Sequence, residues 1–74
     1  IRRRRPDEAI GVLEAMTDLY EGTDLAECLR ELARCQRALG DENGSAASYL
    51  ASIDGFNAAG ERWEAEFTAT EAAT

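Results

Sequence analysis

With 74 residues, a net charge of −7 and no histidine, the chain has room for one domain and lacks the commonest general base and metal ligand. A chain this short buries about 60% of the surface its unfolded form exposes, so its core is thin. Its apolar stretches are too short to span a bilayer. The basic run is followed by Pro6, Asp7 and Glu8 rather than by an apolar segment, so no signal peptide is read.

Charge is unevenly placed. Arg2, Arg3, Arg4 and Arg5 form a basic tail (1–5), leaving four arginines against 15 acids, a net of −11, on a single helical domain at 6–74. An acidic body repels phosphate backbones, and no aromatic residue interleaves the tail to stack on bases, so a solvated tail is expected and nucleic acid is not. All eight basic residues are Arg, none is Lys, and Ala is abundant; that bias suggests a GC-rich bacterial source. Ile1 stands where a complete chain would carry Met, as expected of a piece of a longer polypeptide. A soluble, cytoplasmic protein is expected.

Pro6 suits the first position of a helix. From Asp7 the residues Ala9, Ile10, Leu13, Met16 and Tyr20 recur at helical spacing, widened by Val12 and Leu19, which predicts a helix over 7–21 ended by Gly22. Asp24-Leu25-Ala26-Glu27 reads as a capping box for a second helix over 25–39. Its stripe is Leu25, Cys28, Leu29, Leu32, Cys35 and Leu39, and Glu27–Arg30 and Glu31–Arg34 pair on its exposed face.

Cys28 and Cys35 lie seven residues apart. On a helix that separates them by roughly 10 Å along the axis, too far for a disulfide. Two reduced, buried thiols are expected.

Gly40 closes the second helix, and Asp41-Glu42-Asn43-Gly44 reads as a loop. Ser45 then caps a third helix over 45–58 whose apolar face is Tyr49, Leu50, Ile53 and Phe56, with Ala46 where close approach is needed. Gly60 ends it, and a fourth helix over 61–72 carries Trp63 and Phe67 with the small residues Ala65 and Ala69. Strand alternation is not seen, so the fold is all-α: about four helices in antiparallel hairpins. Phe56 should be buried between the central hairpin and the Trp63 helix. Trp63 itself is either core or the anchor of an interface.

A shift of 36 residues aligns Ala9 with Ser45, Leu13 with Tyr49, Tyr20 with Phe56 and Asp24 with Gly60. The segment Leu39-Gly40-Asp41, then Ser45, Tyr49, Ser52, Phe56, Gly60 and Trp63, resembles a tetratricopeptide repeat (TPR). It is similar to the degenerate form found in large bacterial transcriptional regulators and signalling ATPases. Ser45 and Ser52 stand where that family usually has Ala. The resemblance implies a TPR-like α-solenoid fragment: the second helix of one repeat, a full repeat from Asp24 to Ala59, and the first helix of the next. It also implies stacked hairpins presenting a concave face to a protein or peptide.

Without histidine, Ser45, Ser48 and Ser52 have no base to activate them, and two cysteines alone do not complete a structural zinc site. Asp41, Glu42 and Asn43 do not continue into a calcium loop, since Gly44 comes too early and no acid closes the run. Gly40 and Gly44 lack the Lys-Ser/Thr of a phosphate loop. Asp54 is expected to face outward beside its stripe. No catalytic, cofactor or metal residue is assigned. The expected function is a non-catalytic interaction or scaffold module within a larger bacterial regulatory protein, with a protein or peptide partner, possible self-association, and Trp63, Phe67 and Tyr20 as partner-contact candidates. The alternative is a docking or dimerisation bundle from the end of a multi-enzyme chain.

Overall fold

A computed structural model of the chain describes residues 5–74, the side chain of Pro6 excepted. Four helices and no strand make up the described residues: α1 Pro6–Thr17, α2 Gly22–Ala38, α3 Glu42–Ala58 and α4 Arg62–Ala73. The expected tail lies outside the described residues except for Arg5, which pairs with Asp7 at 3.5 Å.

The turns after α2 and α3 share one design. Gly40 and Gly60 take φ of +83° and +77°, a left-handed conformation that glycine reaches without a Cβ clash. At the first, Gly40 N–H donates to Arg37 and Asp41 N–H to Gln36; at the second, Gly60 N–H donates to Asn57 and Glu61 N–H to Phe56. Both are the paired end bonds of a Schellman motif, and they satisfy carbonyls that the helix leaves free.

Three predicted boundaries move. The first helix ends at Thr17 rather than residue 21, where the Thr17 hydroxyl bonds back to the Glu14 carbonyl at 2.6 Å. Tyr20 therefore lies in the connection, not on the helix. Gly22, with φ +63°, opens α2 instead of closing α1. The capping box does not form: Glu21 is the N-cap of α2, with no side-chain cap bond, and Asp24 sits inside the first turn. The third helix starts at Glu42 because Asp41, not Ser45, caps it, its carboxylate accepting from Gly44 N–H at 2.9 Å. The predicted loop is thus the first turn of α3. The fourth helix matches its prediction to within a residue at each end.

Packing follows chain order: α1 lies on α2, α2 on α3 and α3 on α4, and the α2–α3 interface is the most extensive. That interface is close because its contact residues are small. Ala26 and Ala33 are wholly buried on α2, and a Cβ placed on Gly55 would stand 3.1 Å from that of Ala26. Serines on α3 then reach the backbone of α2 and its Gln36 side chain. Ser45 Oγ donates to the Ala33 carbonyl at 2.8 Å, Ser52 Oγ to the Ala26 carbonyl at 2.6 Å, and Ser48 Oγ to Gln36 Oε1 at 2.6 Å. Buried hydroxyls without such partners would each destabilise the fold.

Phe56 is wholly buried with Ala26 and Ala65, and Ile53 packs against them. This is the position expected for Phe56. Cys28 is buried, Cys35 half-buried, and both are free thiols. Burial pushes both thiols up from their ordinary range. Several residues assigned to stripes face water instead. Leu19 is 79% exposed in the α1–α2 connection, and Val12, Leu39 and Leu50 are also exposed. Leu39 lies beyond the last turn of α2 as its C-cap, and Leu50 is 60% exposed on α3. No described helix is long and apolar enough to cross a membrane.

Candidate partner-binding surface

Helix α4 is short, and two large apolar side chains stand among the polar and alanine residues on its exposed face. Trp63 and Phe67 are one turn apart, so their side chains meet; the rings stack with centroids 5.8 Å apart and planes 4° from parallel. Trp63 is 72% exposed and Phe67 48%. Of the two readings of Trp63, core is therefore excluded: Ala65 and Thr68 hold the buried side of α4, and Trp63 lies on the opposite side.

Behind the pair stands Arg30 of α2. Its guanidinium lies 5.1 Å from the ring centre of Phe56 and 5.8 Å from that of Phe67. Its Nη1 donates to Glu64 Oε2 at 2.7 Å and to Thr68 Oγ1 at 3.2 Å. The Arg30 Nε is buried with no hydrogen-bond partner; attraction of the cation to two ring faces offsets part of that cost. The order of contacts, Phe56–Arg30–Phe67–Trp63, leads from the core to the open indole. The predicted Glu27–Arg30 pair does not form, because Arg30 turns to α4 instead.

A second set of contacts ties α2 and α3 to the end of α4. Arg34 grips Glu71 with two parallel bonds, Nε to Oε2 at 2.7 Å and Nη2 to Oε1 at 2.5 Å, and also pairs with Glu31 as predicted. The Tyr49 hydroxyl donates to Glu71 Oε2. Arg37 lies 4.9 Å over the Tyr49 ring and donates to the Ala72 carbonyl at 2.9 Å, placing a cation at the negative end of the α4 dipole. The Arg34 hydrogen bonds hold the Glu71 carboxyl down at about 2 against burial, with help from Tyr49. Burial, then the bond to Glu71, pushes the Tyr49 phenol up.

Tyr20 is not part of this surface. It lies with Leu13 and Met16 at a groove of about 380 Å³ between α1 and α2, floored by Cys28 and edged by Asp24, Glu27 and Glu31. Another groove, of about 400 Å³, runs along α3 between Tyr49, Leu50 and Ile53. Among the described residues no group of three metal-ligating side chains comes together. Asp54 is exposed, as expected.

The roles of Arg30, Arg34 and Glu71 were missed in the sequence. A signal was present: Arg30–Glu64 and Arg34–Glu71 are opposite charges separated by 34 and 37 residues, close to the 36-residue shift. Local pairing at three or four residues is the simpler reading of such arginines, and it hid the longer one. Comparison with known protein families, curated proteins and solved structures returned no match.

Proposed function

We propose that the chain is a non-catalytic protein-interaction or scaffold module whose partner contact centres on Trp63 and Phe67. The observation that carries this reading is the stacked, exposed aromatic pair, held in place from behind by Arg30. Large aromatics with little rotamer freedom dominate protein interfaces when they are pre-positioned and wet in the free protein. An arginine with its own carboxylate partner supports the pair, so it needs no rearrangement to bind.

The TPR-like reading belongs to the same proposal. Its support is in the sequence, where the 36-residue shift aligns Ala9 with Ser45, Leu13 with Tyr49 and Tyr20 with Phe56. Arg without Lys and abundant Ala support a bacterial parent, and free Cys28 and Cys35 suit a reducing cytoplasm. A docking element of a multi-enzyme chain would use the same surface with a different partner.

Site-specific photo-crosslinking tests the reading. A photoreactive phenylalanine analogue replaces Trp63, Phe67 or, as an exposed control, Ala47, and the protein is expressed in its native cells. Discrete crosslinked species from positions 63 and 67, absent at 47, are expected. Equal crosslinking at all three positions would remove α4 as the contact surface.

A further inference from the structure

The groove between α1 and α2 lies away from the aromatic pair, and its chemistry is different. Leu13 and Met16 of α1, with Tyr20 beyond it, form an apolar wall above the thiol of Cys28, whose Sγ–H reaches the Leu13 carbonyl at 3.4 Å. Along the other edge run Asp24, Glu27 and Glu31, at spacings of three and four residues on α2. Those spacings align the three acids on one side of the helix over roughly 10 Å.

Among the described residues, no cation lines this groove. Arg30 and Arg34 are the nearest arginines on α2; Arg30 is committed to Glu64 and the aromatic rings, and Arg34 to Glu71 and Glu31. Asp24 and Glu27 have no ion pair among the described residues, and both are exposed. An apolar floor with one uniformly negative, helically spaced rim is complementary to an amphipathic helix. Such a helix would carry Lys or Arg at matching spacings beside an apolar stripe. A body with net −11 on residues 6–74 adds long-range attraction for the same partner and repels an acidic one.

We infer that the α1–α2 groove is a second docking site, specific for a basic amphipathic helix of a partner protein. It lies beyond the Trp63–Phe67 contact and does not depend on it. The apolar side of the partner helix lies over Leu13, Met16 and Tyr20, and its basic side chains meet Asp24 and Glu27.

The probe is a synthetic helical peptide with Leu on one face and Arg on the adjoining face, titrated into the isotope-labelled chain and followed by NMR. Peptides with Gln or with Glu in place of Arg are the comparisons. Shifts should centre on Leu13, Met16 and Tyr20, and binding should weaken as salt screens the rim. The Gln peptide should bind about tenfold more weakly, and so should the Arg peptide to an Asp24→Asn, Glu27→Gln variant. Both substituted positions are exposed, so the variant should keep the helix content and melting behaviour of the parent, read by circular dichroism. Trp63→Ala should bind the Arg peptide as the parent does, which separates this site from the α4 surface.

Shifts centred on Trp63 and Phe67, equal binding of the Glu peptide, or undiminished binding by the double variant would each overturn the proposal. So would a concentration-dependent dimer that the same two substitutions dissolve, since the groove would then belong to a second copy of the chain.

Discussion

Phe56 is the largest fully buried side chain, and it serves two functions at once. It fills the space between α2, α3 and α4, and its face carries the Arg30 guanidinium. Phe56→Ala should lower stability by about 3–5 kcal/mol, much of what a domain of this size has, as read by urea unfolding. Glu71 gives the molecule a pH dependence. Its carboxyl is held at about 2 in the fold against an ordinary value of 4.5, so folding favours the ionised form. That stability is fully present above about 4.5 and is lost as pH falls toward about 2. Urea midpoints measured across this window should fall with acidification, and Glu71→Gln should flatten the fall. The Arg34 and Tyr49 bonds to Glu71 predict that slope; an unchanged slope in the variant would assign acid sensitivity to other carboxylates.

The helices themselves were legible where a residue has one physical meaning. Gly40 and Gly60 mark ends because the left-handed turn there admits little else, and the stripe containing Leu32 and Cys28 marks the buried side of α2. Starts were less legible, because Asp24, Asp41 and Ser45 are all residues that cap. Asp41 caps α3 because Gly44, with no Cβ, leaves its carboxylate room to turn back; a Cβ there would collide with it. Asp41→Ala should therefore cost about 1 kcal/mol and fray α3 from Glu42, visible in amide exchange. The α2–α3 approach was half legible: Ser45 and Ser52 could be read as small, but not as donors to the opposing backbone. Gly55 carries no sequence signal of its own, since its role depends on Ala26 from another helix. Gly55→Val should push α2 and α3 apart and cost about 1–3 kcal/mol, measured by thermal or urea unfolding. The exposure of Trp63 was one of two open readings, because spacing fixes which side chains share a helix side but not which side meets a neighbour.

At the scale of the whole molecule, packing in chain order leaves α1 and α4 as end helices, each with one main helical neighbour. The core is correspondingly small. Apart from Phe56 and Tyr49 its buried side chains are mostly Ala and hydroxyl-bearing residues, which bring backbones together without removing much apolar area from water. Trp63, Phe67, Leu19 and Leu50 meanwhile remain exposed. A thin core and uncovered aromatics at one end predict that the isolated chain self-associates as concentration rises. Sedimentation equilibrium at several loading concentrations should show a rising average mass, with a melting temperature that rises in parallel. Trp63→Ala should suppress the association while leaving the dilute-limit stability nearly intact, because Trp63 is mostly in water. The net charge of −7 opposes association at low salt, so raising ionic strength should strengthen it. A monomer at every concentration and salt, with a high and constant melting temperature, would show that the four helices are sufficient alone and that the α4 aromatics are not a self-association surface.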